Sequence, residues 1–164
     1  MSEGKVQIYT GCGKGKSTAA FGLAMRAAGC GCQVVIIQFQ KAWHCGEHES
    51  AKKLGIKIIQ CSEGRGCSPC ASPCPLFAEA LDILKDSCAD VLILDEVMAA
   101  MGQGCLSLKE VLLLLEMRPE KMELVMTGRG APKELTERAD LVTEMKKIKH
   151  YYDEGLPARR GIEY

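Results

Sequence analysis

The sequence predicts an α/β protein with a mostly parallel central sheet and helices on both of its faces. Three observations carry this. An alternating run at Val6 and Ile8 leads into a glycine-rich stretch, residues 10–18, and then into an alanine-rich, helix-forming one. Later runs at 33–39, 91–94 and 124–127 are unbroken apolar stretches of strand length, the pattern of strands buried on both faces. Stretches with helical signals separate them.

Taken in order, the first strand meets Thr10-Gly11-Cys12-Gly13-Lys14-Gly15-Lys16-Ser17-Thr18. Glycines at 11, 13 and 15 let successive backbone N–H groups turn toward an anion, so the stretch reads as a phosphate-binding loop. Its glycine spacing departs from the strict pattern by one position. Lys16 adds a charge between phosphates, Ser17 a hydroxyl for Mg²⁺, and the helix its positive end. The helix over 19–28 ends at Gly29, and 33–39 forms the second strand. The polar stretch 40–55 carries His44 and His48, four apart but separated by Gly46, which favours two solvated histidines over a metal pair. Residues 56–59 give a third strand. Pro75 opens a helix whose expected buried face is Phe77, Leu81, Leu84 and Cys88.

Val91-Leu92-Ile93-Leu94 ends in Asp95 and Glu96, the pattern of an apolar strand that presents acids beside a phosphate loop. One of these acids is expected to hold Mg²⁺ directly or through water, with the other orienting it. Ser107 and Glu110 have capping-box spacing, and Leu108, Val111, Leu112 and Leu115 follow helical periodicity until Pro119. The strand at 124–127 precedes Gly128-Arg129-Gly130, where a guanidinium stands at the ligand-binding edge or in a simple turn. A short helix from Pro132 to Ala139 and a last strand over 140–145 follow. The basic, aromatic tail Lys146, Lys147, Lys149, His150, Tyr151 and Tyr152 has the make-up to grip RNA or a ligand, but at this length it is expected to fold over a neighbouring face.

The chain has 164 residues, 47% of them hydrophobic and 26% charged, with 21 basic and 21 acidic side chains. That suits one soluble domain over 1–164 and leaves no overall field to draw nucleic acid or an anionic membrane. Without a recognisable export signal or an apolar run of membrane length, a cytoplasmic protein is expected. Its ten cysteines are then reduced thiols, with Cys30, Cys32, Cys88 and Cys105 read as small buried hydrophobes. Cys61, Cys67, Cys70 and Cys74 fall within fourteen positions and partly echo an iron–sulfur spacing. Two readings stand open: a zinc or iron–sulfur site, or a reduced loop.

Together these residues resemble the ATP:corrinoid adenosyltransferases of the BtuR/CobO/CobP type. The likeness covers 10–22, Gln38-Phe39 with Lys41, Gly46-Glu47, Leu94-Asp95-Glu96, and Thr127-Gly128-Arg129-Gly130. It continues through Glu134, 139–145, Lys149-His150 and Gly161-Ile162-Glu163-Tyr164. It implies a RecA-like P-loop fold and attack of Co(I) of a reduced corrinoid on the 5′ carbon of ATP, releasing triphosphate. The corrinoid would be cobalamin or cobyrinic acid a,c-diamide, and the nucleotide would lie in the opposite sense from ordinary P-loop enzymes. Gly11, Cys12, Gly13, Lys14, Gly15, Lys16, Ser17 and Thr18 would bind ATP. Lys14, Lys16, Glu96 and Arg129 would serve the chemistry, and Ser17, Asp95 and Glu96 the Mg²⁺ or Mn²⁺. A homodimer, and a reductase or flavodoxin-like electron donor, are implied as partners. Cys12 stands where the family has asparagine, and Gly64-Arg65-Gly66-Cys67 where many members have an aromatic patch. Physics alone leaves two other readings, a small P-loop kinase or NTPase acting at the γ-phosphate and a nucleotide-gated binding module.

Overall fold

The computed structural model describes residues 3–61 and 74–164. Six parallel strands form one sheet: β1 (Val6–Thr10), β2 (Val34–Gln38), β3 (Lys57–Gln60), β4 (Val91–Asp95), β5 (Glu123–Thr127) and β6 (Leu141–Glu144). Their order across the sheet is β3-β2-β4-β5-β1-β6. All five pairings are parallel, with Ile36 opposite Ile93 and Ile8 opposite both Met126 and Val142.

The alternation of side chains along each strand divides the core in two. Val35, Ile37, Leu92, Leu94, Leu124 and Met126 point to one face, where they meet α3 (Pro75–Asp86), α4 (Val97–Gly102) and α5 (Leu108–Met117). Val34, Ile36, Val91, Ile93 and Val125 point to the other, under α1 (Lys16–Gly29) and α2 (Gly46–Lys53). Each large aliphatic side chain so buried contributes about 1.5–3 kcal/mol. Ala20 and Ala24 are fully buried, so α1 lies close on the sheet, with Phe21 and Leu23 packing half-buried at the sides. The capping box of α5 is present, with Glu110 N–H donating to the Ser107 hydroxyl at 3.2 Å and Ser107 N–H to the Glu110 carboxylate at 2.7 Å.

Several local expectations are corrected. Residues 46–53 form α2 inside the stretch read only as polar, and α4 follows Glu96 directly. The helix after Pro132, α6, runs only over Lys133–Thr136. In α3 the most buried positions are Leu76, Ala80, Ile83 and Leu84, while Phe77 and Leu81 are half-buried. The helix ends at Asp86, with Ser87 in left-handed geometry (φ 50°), so Cys88 leaves the helical face and is exposed. Cys30 is likewise exposed past the end of α1, and Cys32 is half-buried; Cys105, Cys45 and Cys74 are the buried thiols among the described residues.

Candidate active site

The C-terminal ends of the strands converge on a cavity of about 1120 Å³. Ligands of parallel α/β sheets occupy this edge, because loops and helix N-termini meet there. The phosphate loop lies between β1 and α1, with Gly11 at φ 103° and Gly15 at φ 118°, conformations that a side chain disfavours. Met145, just past β6, runs against the back of this loop: Gly13 N–H donates to its carbonyl at 2.7 Å, and its own N–H donates to the Thr10 carbonyl at 2.8 Å. A Cβ on Gly11 would stand 2.4 Å from the Met145 oxygen, and one on Gly13 2.7 Å from it. Two of the loop's three glycines are therefore required by the neighbouring backbone as well as by any anion.

Cys12, Gly13, Lys14, Gly15, Lys16, Ser17 and Thr18 all line the cavity, as do Glu96 and Arg129. Lys16 is only 6% exposed and donates to the Gly13 carbonyl at 2.8 Å. Burial pushes its amine below the ordinary lysine range, against the attraction of Glu96. Arg129 is held between Gly128 (φ 143°) and Gly130 (φ 68°), and its guanidinium is close enough to bear on both Lys16 and Glu96.

The two acids at the end of β4, equivalent in the sequence, are separated by the fold. Asp95 is fully buried. Its Oδ1 accepts from the Thr127 hydroxyl at 2.7 Å and its Oδ2 from Gln38 Nε2 at 3.2 Å, with Lys41 Nζ 3.8 Å away. Glu96 takes a left-handed backbone (φ 59°) that turns it out of the strand and onto the cavity wall. Burial, and then the charge of Asp95, raise its carboxyl above the usual range, while Lys16, Lys41 and Arg129 oppose the shift.

A row of polar side chains crosses the sheet at this level. Gln38 on β2 stands opposite Asp95 on β4 and Gln60 on β3. Gln38 Oε1 accepts from Gln60 Nε2 at 3.0 Å and from His48 Nε2 at 2.8 Å. Because Cys45 N–H donates to His48 Nδ1 at 2.7 Å, that nitrogen is an acceptor and the imidazole proton sits on Nε2. His48 is therefore anchored to the site and not solvated as expected, whereas His44 is exposed and paired with Glu49 at 2.9 Å. Lys41 and Glu47, 2.9 Å apart, form the wall beside α2. Burial weakens the Lys41 charge, but Asp95 and Glu47 outweigh it and raise its pKa.

The tail also lines the cavity and reaches the start of α2, where the Tyr164 carbonyl would stand 4.0 Å from a Cβ on Gly46. Tyr151–Glu154 forms a single 3₁₀ turn, and 161–164 lie along the cavity. Lys14 Nζ donates to the Ile162 carbonyl at 3.1 Å and sits 3.5 Å from the Glu163 carboxylate. Arg159 and the Tyr151 hydroxyl hold that carboxylate, with Arg159 foremost in pulling its pKa down to about 2.

Among the other residues singled out in the sequence, Gly11 belongs to the loop but does not line the cavity, and Cys67 and Cys70 lie outside the described residues. Cys74 is buried in the main core, and Cys61 packs half-buried against the same core. No group of three or more His, Cys, Asp or Glu able to hold a metal occurs among the described residues. Nor is any described helix long and apolar enough to cross a membrane. Sequence reasoning gave no role to Gln38, Lys41, Glu47, His48 or Thr127. The available signal was a polar residue closing each of two apolar strands, Gln38 on β2 and Thr127 on β5.

A parallel sheet with a glycine-rich loop after its first strand, a buried loop lysine and a carboxylate at the end of a central strand defines a RecA-like P-loop protein. Solved structures share the fold. The flagellar accessory protein FlaH of Methanocaldococcus jannaschii matches with a TM-score of 0.60 at 14% identity, over 88% of this chain and 72% of that one. A KaiC-like protein of Pyrococcus horikoshii matches with a TM-score of 0.56 at 17% identity, over 90% and 75%. More particularly, residues 2–164 match the model of the ATP:corrinoid adenosyltransferase family BtuR/CobO/CobP, and the chain belongs to that family. The corrinoid adenosyltransferase of Escherichia coli K12 is 36% identical over 98% of this chain and 86% of its own length. Corrinoid adenosyltransferase CobA of Salmonella typhimurium is 33% identical over the same shares. This membership does not favour the reading of a kinase acting at the γ-phosphate.

Proposed function

We propose that the cavity binds ATP and transfers its 5′-deoxyadenosyl group to Co(I) of a reduced corrinoid, either cobalamin or cobyrinic acid a,c-diamide, in adenosylcobalamin biosynthesis. The Co(I) electron pair forms the bond to C5′, the C5′–O bond breaks, and its electrons leave with triphosphate. Charge develops on that leaving group, so catalysis consists largely of stabilising it. The observation that carries the reading is the convergence of Lys14, Lys16 and Arg129 with the loop amides and the N-terminus of α1 on one cavity.

Lys16 is already desolvated and bonded to its own loop, so little reorganisation is needed when a phosphate oxygen replaces the Gly13 carbonyl. Lys14 exchanges Glu163 for the triphosphate, and Arg129, whose charge is felt at Lys16 and Glu96, supplies further positive charge. The Ser17 hydroxyl and the Glu96 carboxylate are hard oxygen donors on the same wall, a set that suits Mg²⁺ or Mn²⁺. Such an ion supplies further positive charge to the triphosphate when bound. Asp95, with both oxygens engaged inside the protein, supports this pair from behind. Co(II) must first be reduced by one electron, which calls for a reductase or flavodoxin-like donor, and the assembly is taken as the homodimer of the family.

The test is product analysis. ATP, Mg²⁺ and a chemically reduced corrinoid should yield inorganic triphosphate and a light-sensitive Co–C bond. ADP as the main product would overturn the proposal.

A further inference from the structure

Glu96 needs an explanation that its position in the sequence does not supply. At φ 59° its backbone lies in the region that favours glycine, although it carries a long, charged side chain. Such a conformation persists only where the surroundings hold it, and two contacts from the end of β5 do so. The Glu96 N–H donates to the Thr127 Oγ1 at 2.8 Å. The Thr127 hydroxyl in turn donates its proton to Asp95 Oδ1 at 2.7 Å, which leaves the lone pairs of the oxygen facing Glu96. Next to Thr127, Gly128 has no side chain, and a Cβ there would stand 2.8 Å from that of Met98 in the first turn of α4. The turn between β4 and α4 is thus held against β5 at two successive residues. Thr127 is fully buried and does not line the cavity.

We propose that Thr127 is a positioning residue: oriented by Asp95, its hydroxyl holds the Glu96 backbone in the turn that presents the Glu96 carboxylate to the cavity. The pair Asp95 and Thr127 then acts as one unit behind Glu96, and neither side chain reaches substrate. The inference rests on the reading of Glu96 as the carboxylate that meets the metal.

Thr127→Val removes both hydrogen bonds at almost constant volume, and Thr127→Ser keeps the hydroxyl. Thr127→Val should raise the Mg²⁺ concentration for half-maximal transfer by about tenfold or more, the usual scale for a residue behind a metal ligand. In calorimetric titrations it should weaken Mg²⁺-dependent ATP binding to a similar degree, with metal-free ATP affinity changed less than about twofold. Thr127→Ser should restore both readouts, and Glu96→Gln should reproduce the valine phenotype. In the unsubstituted protein the Glu96 amide should be protected from hydrogen exchange, a measurement that stands even if the valine variant fails to fold. A sensitive Glu96→Gln beside a folded Thr127→Val of ordinary Mg²⁺ dependence would overturn the positioning role and spare the reading of Glu96. An insensitive Glu96→Gln would overturn both. A freely exchanging Glu96 amide would overturn the positioning role alone.

Discussion

Gly13 donates its amide to the carbonyl of Met145 at 2.7 Å, so the phosphate loop is braced by the chain leaving β6. The loop's shape is consequently a property of the sheet and is present before any ligand arrives. Gly13→Ala places a methyl group against backbone on the Met145 side, where no flexible side chain can move aside. It should cost about 1–3 kcal/mol of stability, the scale of overpacking, and lower the melting temperature by about 2–4 °C for each kcal/mol. A variant that melts with the unsubstituted protein would remove the bracing argument.

Lys16→Met retains most of the buried stem and removes the charge. Losing a charge-assisted contact to the leaving triphosphate should raise the barrier by about 3 kcal/mol, a rate loss of more than a hundredfold. Stability should hold or rise, because an amine whose pKa is lowered by burial costs the fold energy when charged. Turnover and thermal melts measured on the same preparation check both halves.

Glu96→Gln should make the ligand-free protein more stable at pH 7 while impairing Mg²⁺-dependent transfer. The sign follows from a carboxyl whose folded pKa is raised: its contribution to stability is present below the unfolded value and is lost as pH rises through the folded one. The advantage of the glutamine variant should therefore grow with pH above about 4.3, the ordinary value, and vanish below it, where the native carboxyl is protonated in both states. Denaturant melts of the two proteins across that range provide the measurement.

Removing residues 161–164 should raise the KM for ATP several-fold and hardly change the melting temperature. These residues form cavity wall, but their ties to the chain before the tail, from Lys14 to the Ile162 carbonyl and the Glu163 carboxylate, are near the surface, and such surface pairs contribute about 0–1 kcal/mol. Steady-state kinetics on the shortened protein decide, and an unchanged KM would count against a role for the tail in nucleotide binding.

The sheet was legible because its inner strands are uninterrupted apolar runs, and the loop because glycines, lysine and serine fall between a strand and a helix. What escaped depends on register. Nothing in the order of residues says that Gln38, Asp95 and Gln60 stand abreast, since that follows only once β2 lies between β3 and β4. Asp95 and Glu96 could not be told apart for the same reason: a single left-handed residue sends one inward and the other to the cavity. α2 was hidden by polarity, with only Ala51 fully buried, and α4 by its six-residue length. Periodicity alone carries Cys88 onto the buried face of α3, but the helix has already stopped at Asp86.

The placing of β1 between β5 and β6 bears on how the chain reaches this state. The first strand has no partner near it in sequence; Val6 N–H, for instance, waits for the Asp140 carboxylate 134 residues later. During synthesis the phosphate loop emerges early and stays unsupported until most of the chain has followed, and pairings this distant are slow to form. Over that interval the strand presents an open edge, which makes the nascent chain a natural client for chaperones and vulnerable to association with its own kind.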